Sequence, residues 1–488
     1  MRVLGILLTP ILCVAQQVPW TAPLQSREPD TFQLKWPVKR VAIIGGGVSG
    51  LIAYREFEQA GFEQVRLFER DSLPGGNWLY TEDIPGDAPI PNVEPSIGDY
   101  VPSVLPPGST YPSEKIYSDG EERWREHRAP KPVWESLESN APAPIQQITE
   151  IPWPPGTPWH LPHRLLGRYL RAFASFHNVN ANDDNSDVSY RTRVERVEKR
   201  RNPATQDEEG WTLTLKRVEL LDSKAKVTWW TETSAVEISR EVSHSARRIY
   251  QSIRPANPNL PDNAGRNHLS RLPANISIVP EIRQFHAHNQ TVELVNGTFL
   301  EHIDQVVFAT GYRYSFPFLP QFHRETGSTD RHIVTDGTHL RALHLDFVSI
   351  EEPTIGFLNM NWGMQSFTYA EYLSVALAKV WSAKASLPSQ DEMWRAHDRR
   401  VEERGGYGRH LQFLGEDRNS AIIRYFVGWL NDAAVKFGGK QLDGEDKNYH
   451  EIMTTWIKSM YPSYNLRDSS KEERQSVQSV DWIYGEDW

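Results

Sequence analysis

An apolar segment that runs straight into three spaced glycines constrains the fold more than any other part of this sequence. Residues 41–44, Val-Ala-Ile-Ile, show no polar alternation, which is typical of a buried parallel strand. Gly45, Gly47 and Gly50 follow at the spacing G-x-G-x-x-G, which turns such a strand sharply into a helix. The pattern predicts a β-α-β unit of the Rossmann type and therefore an α/β fold.

Each glycine of this turn has its own role in binding a dinucleotide. Gly45 permits the tight turn, Gly47 lets the backbone approach a pyrophosphate, and Gly50 lets the helix pack closely on the strand. The free amides and the dipole at the helix N-terminus favour an anion. Glu69 ends the next predicted strand, where its carboxylate would bind ribose hydroxyls. An ordinary glycine-rich turn is the alternative, but the strand, glycines, helix and acid occur in the required order.

Composition excludes several classes of protein. A chain of 488 residues with 39% hydrophobic residues suggests roughly two to three domains with a large core. Its net charge of −10 at pH 7 argues against nucleic acid or an anionic membrane as a partner. The single cysteine, Cys13, excludes a disulfide framework, and no metal site is predicted for two histidine pairs that lack cysteine or carboxylate partners. These pairs are His160 with His163 and His286 with His288.

The N-terminus has the pattern of a secretory signal peptide. In residues 1–15, Arg2 precedes an apolar run that is too short for a stable membrane anchor and is followed by small residues. A peripheral extension or a short anchor is the alternative. Glycosylation sequons at Asn275, Asn289 and Asn296 suit a glycoprotein of the secretory pathway, in the endoplasmic reticulum lumen or outside the cell. No membrane span is predicted in the mature chain.

Apolar spacing along the rest of the chain predicts further elements. Residues 16–37 are rich in proline and charge and are interpreted as a linker. Helical spacing covers residues 165–174, and alternation over 188–197 and 211–218 predicts antiparallel strands. An apolar run at 354–362 predicts a strand, followed by helices at 367–381 and 422–435.

Four motifs in order resemble the flavin-containing monooxygenases in their fungal branch. They are Gly45 to Gly50 with Glu69, Gly75 to Trp78, Leu137 to Asn140, and Phe308 to Tyr312. The resemblance implies a flavoprotein with two dinucleotide-binding domains that uses FAD and NADPH. Its Rossmann-type FAD domain would comprise residues 38–230 and 301–488 with the C-terminal helices, and a truncated NADPH domain would be inserted at 231–300.

The resemblance also implies roles for individual residues. Gly76 lets the backbone pass close to FAD, and Trp78 covers the cofactor. Thr310 and Gly311 pack against FAD where the chain returns to the flavin domain. Asn140 matches the catalytic asparagine beside the flavin, and an asparagine that caps a turn is the alternative.

The inserted NADPH domain lacks its beginning. Between Trp230 and Thr233 the family has a first A-T-G turn, an F-x-G-x-x-x-H segment and a strand with a second glycine fingerprint, all absent here. In the remnant, Ser252 and Arg254 stand where a hydroxyl and a guanidinium would hold the NADP 2′-phosphate, with a solvated surface pair as the alternative. The abrupt junction favours coding sequence lost from the translated chain over a genuine deletion.

The function implied by the resemblance is monooxygenation. NADPH would reduce FAD, and one atom of molecular oxygen would be transferred to a nucleophilic nitrogen or sulfur of a small molecule, by analogy a secondary metabolite. The cofactor supplies this chemistry while the protein holds and shields it. The alternatives are an FAD oxidase or dehydrogenase that does not use NADPH, and an inactive flavin-binding remnant. The sequence leaves the oligomeric state open.

Overall fold

The computed structural model describes residues 31–82, 124, 127–128, 131, 133–218, 249–253, 276–303, 313–323 and 332–460. The helices in this part of the chain are α1 (Val48–Ala60), α2 (His163–Phe176), α3 (Ser366–Trp381), α4 (Gln390–Glu403), α5 (Gly415–Phe437) and α6 (Tyr449–Met460). The strands are β1 (Arg40–Ile44), β2 (Gln64–Phe68), β3 (Val188–Ser189), β4 (Thr192–Arg201), β5 (Glu208–Arg217), β6 (Ile249–Ser252), β7 (Ile276–Val279), β8 (Ile282–His286), β9 (Thr291–Leu294), β10 (Phe299–Leu300), β11 (Leu343–His344) and β12 (Val348–Ser349).

Strand β1, helix α1 and strand β2 form the β-α-β unit that the glycines predict. The two strands are parallel, with Ile44 opposite Phe68 at their carboxyl ends, and β3 extends the sheet beside β2. Leu51 and Ile52 of α1 are completely buried, because the helix packs directly over the strands. The α/β fold with a Rossmann-type unit is therefore confirmed.

Helix α1 joins the N-terminal unit to the C-terminal half of the chain. It packs along α3, whose side chains are nearly all buried, as expected for a helix that is apolar on every face. Arg55 of α1 donates a hydrogen bond of 2.9 Å to Glu371 of α3, although 316 positions separate them. Phe57 and Trp381 add a ring contact with centroids 5.5 Å apart. The N-terminal β-α-β unit and the C-terminal half of the chain thus share one core.

Most elements predicted from apolar spacing are present. Helix α2 contains the predicted residues 165–174, and α5 contains the predicted residues 422–435. Strands β4 and β5 pair in antiparallel fashion over most of the two predicted segments. Trp211 on β5 donates a hydrogen bond of 3.0 Å to Thr354, which fixes this hairpin against the C-terminal half.

The predicted strand at residues 354–362 is wrong. Only Gly356 and Trp362 form isolated bridges, with Val348 and Phe413 respectively. The positive φ of 58° at Asn359 bends the backbone away from an extended conformation. The helix predicted after this segment is present as α3.

Two small sheets occupy the region of the predicted NADPH domain. Strands β6 and β7 pair in parallel, and β8, β9 and β10 form an antiparallel sheet. A parallel sheet is normally larger and covered on both faces, whereas β6 and β7 have no further partner strand among the described residues. Trp230 and Thr233 lie outside those residues, so the gap between them stays a prediction, as do the domain boundaries.

The N-terminal and surface features are only partly covered by the structure. Phe32, within the predicted linker, donates its amide to the Leu387 carbonyl at 3.0 Å, while residues 1–30 lie outside the described ranges. Asn289 and Asn296 are exposed, and Asn275 lies outside. Over the residues that the structure describes, no helix has the length and apolarity needed to cross a membrane, and no group of histidine and acidic side chains suits a metal ion.

Candidate functional site

The turn after β1 brings backbone atoms so close together that side chains cannot fit. Gly45 has a φ of 106°, and its amide donates to the Phe68 carbonyl at 2.8 Å. A β-carbon on Gly50 would lie 1.8 Å from the Gly45 carbonyl oxygen, so only glycine allows α1 to start here. Gly47 is the N-cap of α1 without a side-chain acceptor, which leaves the first helical amides for an anion.

Glu69 is held at the carboxyl ends of β1 and β2 by two backbone amides. The Gly46 amide donates to Oε2 at 2.5 Å, and the Asp71 amide donates to Oε1 at 2.6 Å. The side chain is buried. An ionised carboxylate offers about four acceptor positions, so two hydrogen bonds leave acceptor capacity for the hydroxyls of a ribose.

The Gly75–Gly76 turn closes on the first glycine turn by contact between backbones. The Gly75 amide donates to the Gly46 carbonyl at 3.0 Å, and a β-carbon on Gly76 would lie 2.7 Å from the Cα atom of Gly47. We call the residues 45–50, 69 and 75–78 the cradle. On its outer side, a β-carbon on Gly167 of α2 would lie 2.7 Å from the Trp78 carbonyl oxygen. Trp78 itself is half-buried.

Asp71 and Lys131 form a buried ion pair beside the cradle that the sequence patterns did not predict. Their Oδ2 and Nζ atoms are 2.9 Å apart, and the exposed fractions of the two side chains are 2% and 7%. Burial alone would raise the pKa of Asp71, but the Lys131 ammonium, with the Ser72 amide and the Arg128 guanidinium, holds that pKa below its usual value. Lys131 also donates to the Gly76 carbonyl at 3.3 Å.

Asn140 lies at the surface, in a segment paired with the start of α2. The Ser139 amide donates to the Leu161 carbonyl at 2.8 Å, and the His163 amide donates to the Leu137 carbonyl at 2.9 Å. The Asn140 side chain is exposed and forms no hydrogen bond with a described residue. Because α2 contacts the backbone at Trp78, this segment is tied to the cradle through one helix, and the catalytic role of Asn140 stays a prediction.

Of the residues predicted to bind NADPH or to form the returning flavin loop, the structure describes Ser252. Ser252 ends β6 as expected, is exposed, and donates to the Pro280 carbonyl at 3.0 Å within the β6–β7 region. Arg254, Thr310 and Gly311 lie outside the described residues. The contact of Gly167 with the cradle was not predicted from the sequence. Its only signal there is a small residue on the apolar face of a helix.

The cradle has the features of a dinucleotide site. It combines helix amides without a cap, a fixed carboxylate and two glycine turns in which β-carbons would collide. A β-α-β unit with these features defines an α/β protein that binds a dinucleotide cofactor.

Comparison with known proteins places the chain in a family. Residues 43–113 match an NAD(P)-binding Rossmann-like domain, and residues 267–440 match the family described as flavin-binding monooxygenase-like. The flavin-containing monooxygenase iboF of Amanita muscaria is 42% identical, in an alignment that covers 88% of this chain and 96% of that protein. The chain therefore belongs to the flavin-containing monooxygenases, which confirms the resemblance seen in its sequence and implies FAD and NADPH as cofactors.

More distant relatives share the same organisation. The flavin-containing monooxygenase ustF2 of Aspergillus flavus is 24% identical over 80% of this chain and 92% of its own length. The structure of S-allyl-L-cysteine S-oxygenase from Allium sativum superposes with a TM-score of 0.53 at 18% identity, covering 90% of this chain and 98% of that one. This structural likeness confirms the fold of a flavin monooxygenase with two dinucleotide-binding domains.

The alignment with iboF is longer than the chain itself. It spans 516 positions, whereas this chain has 488 residues, of which 88% are covered. The alignment must therefore contain positions at which this chain has no residue.

Proposed function

We propose that this chain is an FAD-dependent, NADPH-using monooxygenase that oxygenates a nucleophilic nitrogen or sulfur of a small molecule. The observation that carries the proposal is the cradle, in which Gly76 lies against Gly47 and the Glu69 carboxylate is fixed by the Gly46 amide. Both features are needed to bind the pyrophosphate and ribose of a dinucleotide. Family membership makes FAD the dinucleotide of this first unit.

The residues of the cradle bind and orient the cofactor. The first amides of α1 hold the pyrophosphate, the free acceptor positions of Glu69 take ribose hydroxyls, and Trp78 shields one side of the site. When bound, FAD supplies the redox chemistry that passes electrons from NADPH to molecular oxygen. Asn140, exposed on the segment paired with α2, would supply its amide as a hydrogen-bond donor beside the flavin.

The choice of nitrogen or sulfur as the reacting atom follows from the resemblance. The S-allyl-L-cysteine S-oxygenase with a similar fold acts on sulfur, as its name says. We propose sulfur as a reacting atom for the present chain as well, and we include nitrogen, since sulfur and nitrogen are both soft nucleophiles. A secondary metabolite is the substrate class that we propose by analogy with the fungal setting of the relatives.

An anaerobic titration of the purified protein tests the proposal. We expect a yellow protein whose flavin absorbance is bleached by NADPH, and oxygen uptake that increases when a thioether or an amine is then added in air. Mass spectrometry should find one added oxygen atom in the product. Bound flavin that dithionite bleaches but NADPH does not would contradict the proposed use of NADPH.

The second candidate is a flavoprotein that does not use NADPH, either an oxidase or dehydrogenase or an inactive remnant. It is favoured by the two-stranded β6–β7 sheet and by the alignment positions that have no residue in this chain. Sequencing of the transcript across the codons for Trp230 to Thr233 separates the explanations. A transcript with additional coding sequence there supports a complete enzyme, whereas an unbroken one supports a genuine deletion.

We further propose that residues 1–15 direct the chain into the secretory pathway. The support is the charged start followed by a short apolar run, together with the exposed sequons at Asn289 and Asn296. N-terminal sequencing of protein from the native host should show cleavage close to residue 15, and treatment with a glycosidase should reduce its mass. An uncleaved protein without glycans in the cytosolic fraction would contradict this localisation.

A further inference from the structure

Hydrogen bonds connect Asp71 to the first glycine turn through one carboxylate. The Gly46 amide and the Asp71 amide donate to opposite oxygens of Glu69, at 2.5 and 2.6 Å. The backbone around Asp71 is further fixed, because its carbonyl accepts the Arg191 amide at 2.8 Å. Asp71 is therefore held rigidly relative to the part of the cradle that follows β1.

A second path connects Asp71 to the same glycine turn through Lys131. Lys131 Nζ lies 2.9 Å from the Asp71 carboxylate and donates to the Gly76 carbonyl at 3.3 Å. The neighbouring Gly75 amide donates to the Gly46 carbonyl at 3.0 Å. Together the two paths form a closed ring of contacts that begins and ends at Gly46. Lys131 is the member of this ring that comes from outside residues 45–76.

The position of Lys131 in the chain gives the ring a second connection. Lys131 precedes the segment that contains Asn140, and this segment pairs with the start of α2 at Leu161. Helix α2 in turn contacts the Trp78 carbonyl through Gly167. The segment is thus attached to the cradle at both ends, to Gly76 by the Lys131 ammonium and to Trp78 by α2.

The burial of the pair makes the connection energetically important. Asp71 and Lys131 are both almost completely excluded from solvent, so removal of one charge leaves the other buried without its partner. Arg128 also attracts the Asp71 carboxylate, but it makes a smaller contribution than Lys131. An exposed surface pair would have little effect.

We propose that Lys131 is a positioning residue for the bound dinucleotide. It acts through the Asp71 carboxylate and the Gly76 carbonyl, and holds the Gly75–Gly76 turn against Gly47 at the width that the cofactor requires. The proposal rests on the proposed function, because the cradle must bind FAD for the positioning to be measurable.

The test is the dissociation constant of FAD, measured by quenching of flavin fluorescence when FAD is added to the full-length apoprotein. We expect Lys131→Met to raise the constant about tenfold or more, since it breaks a buried ion pair. Lys39→Met is the matched control, because Lys39 pairs with Glu63 at 2.7 Å beside the same strands but is 63% exposed. This control should stay within about twofold of the wild type.

The double variant Asp71→Asn with Lys131→Met tests whether Lys131 acts through Asp71. It removes both charges, so we expect it to recover most of the FAD affinity and the visible circular dichroism of the bound flavin. Asp71→Asn alone should weaken binding. Circular dichroism of each apoprotein in the far ultraviolet verifies folding, and the double variant keeps the test valid if Lys131→Met does not fold.

The outcomes separate this inference from the function on which it rests. If the wild type binds FAD and Lys131→Met binds it equally well, the positioning role is wrong. If the double variant binds no better than Lys131→Met, Lys131 does not act through Asp71, which also overturns the proposal. A wild type that binds no FAD overturns the proposed function together with this inference.

Discussion

A β-carbon on Gly76 would stand 2.7 Å from the Cα atom of Gly47, a distance that real β-carbons essentially never show. The obstacle is backbone, so it cannot be relieved by rotating a side chain. Gly76 also has a φ of 55°, which L-residues adopt only at a cost. The contact between the two glycine turns therefore depends on the absence of a side chain at residue 76.

Replacement of Gly76 by alanine should open the cradle. We expect Gly76→Ala to lose about nine tenths of its bound flavin, because the left-handed backbone alone costs about 1–2 kcal/mol before the contact with Gly47 is counted. The ratio of flavin to protein absorbance measures this loss. Gly428→Ala is the control, since Gly428 is exposed on α5 with nothing within 4 Å of the added carbon. A Gly76→Ala protein with full flavin content would contradict the close packing.

A second prediction concerns the charge of Glu69. Both of its oxygens accept a backbone amide, so Glu69→Gln must place its NH₂ group against the amide of Gly46 or of Asp71. A buried donor without a partner costs about 1–3 kcal/mol, so we expect FAD affinity to fall between about fivefold and 150-fold. Fluorescence titration of the apoprotein measures the change. Glu63→Gln, exposed near the start of β2, should leave the affinity unaltered.

The glycine turn after β1 was predictable from sequence because its geometry is local. Gly45, Gly47 and Gly50 lie within six residues, and the turn, the helix start and the parallel strands follow from backbone sterics alone. Helix α2 and the β4–β5 hairpin were predictable for a similar reason, since their apolar periodicity is continuous. The apolar run at 354–362 was misleading, because burial of its side chains does not require an extended backbone.

The connections between distant parts of the chain could not be predicted. Lys131 and Asp71 are ordinary charged residues in segments without periodicity, and only the fold brings them to 2.9 Å. The same holds for Arg55 and Glu371, which meet across 316 positions inside the core. A burial pattern indicates that a residue is inside the protein, but it does not indicate its partner.

Substitution by alanine should lower stability at Ser139 and the rate of oxygenation at its neighbour Asn140. Ser139 is buried and its hydroxyl contacts Gln146 and the Ala141 carbonyl, so Ser139→Ala should lower stability by about 1–3 kcal/mol. Asn140 is exposed, so Asn140→Ala should leave stability within about 0.5 kcal/mol while it lowers the rate of substrate oxygenation. Urea unfolding and product formation measure the two effects. Unchanged oxygenation by Asn140→Ala would contradict its catalytic role.

The C-terminal half contains a histidine that should make stability depend on pH. His344 on β11 is 3% exposed, and burial together with the nearby Arg400 guanidinium lowers its pKa to about 3. The pKa of an unfolded histidine is about 6.5. Between these two values the unfolded chain binds a proton that the folded chain excludes, so folding is favoured by higher pH.

We therefore expect the free energy of unfolding to fall as the pH drops below about 6.5, with His344 contributing up to about 1.4 kcal/mol per pH unit. Urea unfolding between about pH 8 and pH 5 measures this slope. In His344→Gln the slope should be smaller by this contribution, because glutamine does not titrate. The cost of the altered packing is obtained separately near pH 8, where the histidine is neutral in both the folded and unfolded states. Equal slopes for the two proteins would show that His344 binds a proton as readily in the folded chain as in the unfolded chain, contrary to its burial beside Arg400.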